Sequence, residues 1–154
     1  MKITFALVVS LICIQLFACN KINEIRPTNN SDNTSNTHTT KMKISIGSAV
    51  FTATLNNNAT AIAFKAMLPL TITMSELNGN EKFYYFPATL PTNASSGGDI
   101  QAGDLMLYGN NCLVLFYEGF NTSYSYTKIG RIANTSGLIT ALGSGSVTVK
   151  FELV

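Results

Sequence analysis

From residue 41 to its end, the chain alternates apolar and polar residues in many short runs. Residues 42–46 and 146–153 show this pattern most cleanly, with an apolar residue at every second position. A period of two is typical of strands that bury one face. We expect these two strands to be hydrogen-bonded neighbours, because pairing the first with the last would close the sheet and remove its edges.

The same pattern predicts further strands between these two. They span residues 51–55, 70–74, 81–86, 105–108, 112–117 and 129–132. Two segments interrupt the alternation. We interpret residues 91–98 as a polar, glycine-rich loop and residues 118–128 as a long loop that carries several aromatic residues.

Two segments have the composition or spacing of helices. The first begins behind three asparagines and ends before Pro69, because the residue before a proline disfavours the helical region. Its apolar positions follow helical spacing and predict the buried face: Ala59, Ile62, Ala63, Ala66 and Met67. Residues 136–142 predict a short second helix that ends at Gly143. The fold class is therefore mainly β, a closed barrel of about eight strands with two short helices.

The N-terminal residues have the features of an export signal. Lys2 precedes an apolar run over residues 3–14, which is too short to span a bilayer. The run ends in Leu16-Phe17-Ala18-Cys19, which resembles a bacterial lipobox, in which the cysteine after the cleavage site is acylated. We predict a signal peptide over residues 1–18 and a lipid anchor on Cys19 that makes the membrane a partner. The alternative is an ordinary signal peptide with a chance cysteine.

Residues 19–40 continue from the lipid-modified cysteine as a polar segment rich in Asn, Thr and Ser. This low-complexity composition predicts a disordered tether, in which the single histidine, His38, is a solvated linker residue. The folded domain then spans residues 41–154. With the lipobox, this organisation predicts a protein of the bacterial cell envelope, anchored on the periplasmic or the cell-surface side.

Composition narrows the chemistry that this domain can perform. Charged residues make up 12% of the chain and the net charge is +2, so we expect no nucleic-acid partner. Cys112 lies inside an apolar run, where a buried small hydrophobe is expected. There is no C-x-x-C or Cys/His spacing, and we expect neither a metal site nor a cofactor.

The order of short motifs in the domain resembles that of the bacterial cyclophilin-like domains, over roughly residues 42–154. After two strands and a helix come Leu68-Pro69, Glu81-Lys82-Phe83, Gly103-Asp104, Leu115-Phe116-Tyr117 and Ile129-Gly130-Arg131-Ile132. A second helix and a closing strand follow. The resemblance implies a compact version of the cyclophilin barrel.

Cyclophilins proper are peptidyl-prolyl isomerases that use an arginine beside an apolar proline pocket. Their Phe-His-Arg run corresponds here to Phe86-Pro87-Ala88, which lacks both the histidine and the arginine. The resemblance places Phe116 at an apolar wall of the pocket. It aligns Arg131 with a lysine that is not catalytic in cyclophilins.

Two groups of side chains are candidates for a site. Glu81 and Arg131 are either a paired acid and base in a cleft, a surface salt bridge, or not in contact. The aromatic residues on or near the long loop either form a ligand surface or plug one end of the barrel. The candidate ligand-binding residues are Glu81, Phe86, Phe116, Tyr117, Tyr124, Tyr126 and Arg131.

These features favour a non-catalytic module that binds a small molecule or a peptide segment in an apolar cleft near Phe86, Phe116 and Arg131. One alternative is a degenerate or unusual prolyl isomerase that uses the same cleft. Another is a structural component of a surface assembly that relies on an exposed face.

Overall fold

Nine strands and two helices make up the computed structural model, which describes residues 39–154. The predicted signal peptide and the tether up to residue 38 lie outside the described residues. The elements in chain order are β1 (Lys41–Ile46), β2 (Ala49–Leu55), α1 (Ala59–Ala66), β3 (Leu70–Leu77), β4 (Glu81–Tyr85), β5 (Ser95–Ile100), β6 (Asp104–Tyr108), β7 (Cys112–Phe116), β8 (Phe120–Ile132), α2 (Leu138–Leu142) and β9 (Val147–Leu153).

Eight of these strands form a closed ring. Hydrogen bonds join them in the order β2-β1-β9-β3-β4-β7-β6-β8, and β8 pairs with β2 to complete the circle. The ninth strand, β5, pairs with β8 outside the ring. The predicted closed barrel of about eight strands with two short helices is confirmed.

The first and last strands of the ring are neighbours, as the alternating pattern predicts. β1 runs antiparallel to β9, with Ile44 opposite Phe151, and it runs antiparallel to β2 on its other side. The ring is completed where Leu55 of β2 lies opposite Gly130 of β8. A Cβ atom on Gly130 would lie 2.6 Å from the carbonyl oxygen of Thr54, so this approach of two backbones requires glycine.

Inward-pointing side chains of the ring strands build the core together with α1. Phe64 of α1 is fully buried, and its ring centroid lies 6.4 Å from that of Phe86 and 5.6 Å from that of Phe151. The side chain of Asn58 begins the helix by accepting a hydrogen bond from the backbone N–H of Ala61, at 2.9 Å.

The prediction of which residues of α1 are buried is wrong. The buried residues are Thr60, Ala61 and Phe64, while Ile62 is 59% exposed. The reason is the size of Phe64, which fills the core between two other aromatic rings and so rotates the helix away from the face suggested by the smaller side chains.

The two predicted loops are also largely strand. Residues 118–128 belong almost entirely to β8, and β5 begins at Ser95 inside the predicted loop 91–98. The outer half of β8 pairs with β5, from Phe120 opposite Ile100 to Tyr126 opposite Ser95. Most of that half is exposed, so it buries no regular face and shows no clear alternation. Within residues 39–154, neither helix is long and apolar enough to cross a membrane.

Candidate functional site

The outer faces of β4 and β7 form the floor of the candidate site. In the ladder between these strands, Phe83 lies opposite Val114 and Tyr85 lies opposite Cys112. Successive side chains of a strand point to opposite faces, so the residues between them face the barrel interior. The outward residues of β7 belong to a second, smaller apolar cluster, distinct from the core inside the ring.

This outer face carries a cavity of about 450 Å³. It extends from the turn between β3 and β4, across the floor, to the outer half of β8. Val114 and Cys112 line it from below, and Glu81 and Asn80 line it near the turn. Its other principal walls are aromatic side chains: Phe83, Tyr85, Tyr108, Phe120, Tyr124 and Tyr126.

The aromatic rings on the β6 and β8 side touch one another in a continuous arc. Tyr126 lies between Phe116 and Tyr108, with ring centroids 5.5 Å from each. Tyr108 in turn lies 6.1 Å from Tyr124. Tyr126 is buried, but Tyr108 is 43% exposed and Tyr124 is 64% exposed. The arc therefore runs from a packed base to an accessible rim.

Glu81 is the acidic residue of the cavity wall. It is only 8% exposed, and no hydrogen bond or ion pair to its carboxylate comes from any residue in 39–154. Burial raises the pKa of Glu81, and the nearby charge of Glu76 raises it further. Beside it, the buried side-chain oxygen of Asn80 also lacks a hydrogen-bond partner in the described part of the chain.

Tyr126 and Cys112 of the cavity wall hold their protons at neutral pH. Burial, with a smaller contribution from the charge of Glu81, raises the pKa of Tyr126 to about 12. Burial also raises the pKa of the Cys112 thiol, which disfavours the reactive thiolate. Among the lining residues within 39–154, the one carboxyl group is that of Glu81.

Lys82 follows Glu81 directly but points into the barrel. Its ammonium group is fully buried and donates to Glu76 and to the carbonyl oxygens of Gly143 and Gly145, at 2.8 and 2.7 Å. These three acceptors match the three donors of an ammonium group. The hydroxyl of Tyr117 donates to Glu76 at 2.7 Å. This polar cluster joins β3, β4 and the segment after α2, so its role is structural.

The carboxyl of Glu76 shows how these contacts outweigh burial. Desolvation raises the pKa of Glu76, but hydrogen bonds from Lys82, Tyr117 and the backbone N–H of Gly79 lower it by more, and the net pKa is below the ordinary value. The charged form of Glu76 is thus favoured in the folded protein, in contrast to the carboxyl of Glu81.

The structure separates the candidate residues predicted from the sequence into three groups. Glu81, Tyr124 and Tyr126 line the cavity, and Phe116 supports it from below. Phe86 and Tyr117 belong to the core inside the ring. The remaining candidate, Arg131, is on the surface.

Arg131 is not joined to Glu81 by any ion pair among residues 39–154. Its side chain is 54% exposed, and its Nε lies 3.6 Å from Oδ1 of Asp104 on the neighbouring strand. Of the three relationships considered from the sequence, the structure shows the one without contact. The cavity thus lies away from the cleft expected near Phe86 and Arg131.

Several residues of the cavity were not among the sequence candidates. Phe83, Tyr85 and Tyr108 share its walls with Cys112 and Asn80. The run Phe83-Tyr84-Tyr85-Phe86 is aromatic on both faces of β4, which was the available signal. Tyr85 is 59% exposed. Exposed aromatic residues that cluster on a strand surface indicate an interaction site.

The comparison with known families agrees with this architecture. No curated protein matches the chain. The profile of the cyclophilin-like family matches residues 44–152, which include nearly all of the barrel. The chain belongs to the cyclophilin-like family.

Proposed function

We propose that this protein is a non-catalytic binding module of the bacterial envelope, which takes a small molecule or a peptide segment in the cavity outside the barrel. The observation that carries this proposal is the cavity itself, about 450 Å³ in volume and walled by six aromatic side chains. Ligand pockets are commonly of this size, apolar in most of their lining, with a few polar groups that fix orientation.

The exposed tyrosines of the rim support binding. Tyr85, Tyr108 and Tyr124 are between 43% and 64% exposed and lie around one cavity. Clustered apolar surface of this kind marks interaction sites, because it costs free energy to leave it in water. The β-sheet beneath them holds the floor rigid, so little ordering of the protein accompanies binding.

The chemistry of the lining favours binding over catalysis. The described residues of the cavity wall include no arginine or histidine. Cys112 and Tyr126 hold their protons at neutral pH, so neither is an activated nucleophile or base. Glu81 supplies one carboxylate, and Arg131 is paired with Asp104 instead of facing the cavity. A prolyl isomerase that uses an arginine has no such group here.

Binding of Nile red, an uncharged apolar dye that fluoresces in apolar sites, tests this proposal. We expect the purified protein to enhance the fluorescence of the dye, and Tyr108→Ala to weaken binding by roughly tenfold, since a lost aromatic contact and its burial are worth more than about 1 kcal/mol. The control is Val50→Ala, which truncates a residue that is 61% exposed on β2.

The outcomes of that titration separate the functions. Saturable binding that Tyr108→Ala weakens and Val50→Ala preserves supports the binding module. Absence of saturable binding, or equal binding by both variants, overturns it and favours a structural component that uses another face. Acceleration of proline-limited refolding by the protein would instead favour the isomerase.

We propose further that a lipid on Cys19 anchors the module. The support is the run Leu16-Phe17-Ala18-Cys19 behind a charged and apolar leader. Cys19→Ser is expected to move the protein from the membrane fraction to the soluble fraction of the producing bacterium, while Cys13→Ser leaves it in the membrane fraction. A Cys19→Ser protein that stays with the membrane would overturn the anchor.

A further inference from the structure

We propose that the ligand of the outer cavity is an organic cation, whose charged nitrogen binds between the Glu81 carboxylate and the faces of the rim tyrosines. This inference rests on the proposed binding function and names the chemical class of its ligand. A nitrogen that carries apolar substituents, as in an alkylammonium or quaternary ammonium group, satisfies both the charge and the aromatic walls.

The carboxylate of Glu81 is the first reason. It lies in the wall of the cavity, is 8% exposed, and has no donor or cation within the described residues. This carboxylate still opens to the cavity, but burial removes part of the water that stabilises its charge, and proteins normally pair such groups. A bound cation supplies the missing partner, so the binding energy includes relief of a cost that the free protein carries.

The protein's own cations are the second reason, because those near the site are engaged elsewhere. Lys82 is adjacent to Glu81 in the chain, but it points to the opposite face and uses all its donors inside the barrel. Arg131 lies against Asp104. Across the portion of the chain that the structure describes, no lysine, arginine or histidine lines the cavity. The negative charge therefore remains available to a ligand.

The aromatic arc is the third reason. A cation within about 6 Å of a ring centroid is attracted by the negative face of the ring, and the attraction grows when water is excluded. Along one wall the rings contact one another in the order Tyr126, Tyr108 and Tyr124. On the other wall, the ring centroids of Phe83 and Tyr85 are 5.7 Å apart. The attraction comes from the ring faces, and Glu81 has the only carboxyl group among the described residues of the cavity wall.

A metal ion fits this wall less well than an organic cation. Metal ions in proteins take several oxygen, nitrogen or sulfur ligands. Among residues 39–154, no group of three or more His, Cys, Asp or Glu side chains is placed to hold one. The apolar walls instead match the substituents of an alkylammonium group, which lose water favourably on binding.

Calorimetric titration with choline tests the inference. The matched ligand is the uncharged carbon analogue of choline, in which a tert-butyl group replaces the trimethylammonium group. We expect the protein to bind choline about tenfold more tightly than the analogue, or better, given the strength of cation–aromatic and buried charge contacts. Glu81→Gln is expected to lower this ratio severalfold, to the smaller preference that the ring faces alone provide. The control is Glu118→Gln, which removes the same charge from an exposed residue outside the cavity.

Two further arms sharpen the test. Tyr124→Leu keeps an apolar, exposed side chain but removes the ring, so it is expected to weaken choline binding and to spare the analogue. N-acetyl-lysine methylamide replaces choline in a parallel titration. Tighter binding of this compound than of choline identifies the cationic group as a peptide side chain, and tighter binding of choline identifies it as a free ammonium compound.

The results distinguish the failure of this inference from that of the binding function. Equal affinity for choline and its analogue, with Nile red still bound at the cavity, overturns the cation and leaves the binding module standing. Failure of Nile red, choline and the analogue alike overturns both. A preference for choline that is undiminished in Glu81→Gln also overturns the inference, because it places the cation away from Glu81.

Discussion

Glu81 and Lys82 are consecutive residues of opposite charge on β4, yet they do not neutralise each other. The alternation of the strand points Lys82 into the barrel, where its ammonium group is fully hydrogen-bonded. It points Glu81 to the outer cavity, where the carboxylate has no partner in residues 39–154. Lys82 thus stabilises the barrel, whereas the charge of Glu81 remains available to a ligand.

The unpaired carboxylate makes Glu81→Gln a stabilising change at neutral pH. The pKa of Glu81 is raised above its ordinary value of 4.5 by burial, with a smaller effect from Glu76. The folded protein therefore holds this proton more tightly than the unfolded chain, and stability is lost as the pH rises from 4.5 through the folded-state pKa. We expect Glu81→Gln to unfold at a higher temperature than wild type at pH 7 and to remove that part of the pH dependence.

Thermal unfolding measured by circular dichroism between pH 4 and pH 8 checks this expectation. Glu118→Gln serves as the control, since it removes the same charge from the surface and is expected to change little. A midpoint for Glu81→Gln below that of wild type at pH 7 would contradict the assignment of Glu81 as an unpaired carboxylate. The charged and polar groups that interact electrostatically with Glu81 belong to four strands or their ends: Glu76, Tyr85, Cys112, Tyr117 and Tyr126.

Lys82→Ala is expected to destabilise the domain by roughly 3–5 kcal/mol, because it leaves the charge of Glu76 and two carbonyl oxygens unpaired. Urea denaturation measures the free energy of unfolding. Lys128→Ala, which truncates an exposed lysine of β8, is expected to stay within about 0.5 kcal/mol of wild type. A loss below about 1 kcal/mol for Lys82→Ala would show that the polar cluster does not stabilise the barrel.

Removal of the last strand is expected to unfold the barrel. β9 lies between β1 and β3 and pairs with both, and its residue Phe151 is fully buried. Deletion of residues 147–154 exposes two edges and opens the core. Deletion of Val154 alone, which is 84% exposed, is the control and is expected to leave cooperative thermal unfolding in place. Cooperative unfolding of the longer deletion would contradict closure of the ring by β9.

The protein is expected to leave proline-limited refolding of a test protein close to its uncatalysed rate. Rotation about the X-Pro bond has a barrier of about 18–20 kcal/mol, and one positioned group typically contributes about 10² to 10⁴ in rate. The cavity wall carries no arginine among the described residues. Acceleration of refolding by such a factor would contradict a non-catalytic role. If Arg131→Ala removed the acceleration, Arg131 would be the group responsible.

The barrel was predictable from the sequence because its ring strands bury one face. Alternation over residues 42–46 and 146–153 predicted both strands and their pairing, which the structure confirms. The outer half of β8 and the strand β5 show no such alternation. Backbone hydrogen bonds join these two strands to each other, and residues such as glycine and serine can form them. The composition of β5 is therefore like that of a loop.

The residues of the cavity were predictable only in part. Odd and even positions of a strand point to opposite faces of the sheet, and the sequence does not show which set faces the cavity. Tyr117 and Phe116 are neighbours, yet Tyr117 belongs to the core and Phe116 to the outer cluster. Residues distant in sequence, such as Tyr85 and Tyr108, meet there only because β7 lies between their strands. Register between strands carries that information, and no local pattern reveals it.

Amide chemical shifts of the isotope-labelled protein during a choline titration test the central claim most directly, namely that a ligand binds in the outer cavity at Glu81. We expect saturable shifts that concentrate on β4, β7 and the outer half of β8, including Tyr85, Cys112 and Tyr124, with little change at Arg131. We expect Glu81→Gln to require a severalfold higher choline concentration for the same shifts. Shifts that concentrate around Arg131 or across β1 and β9, or that persist unchanged in Glu81→Gln, would contradict the claim.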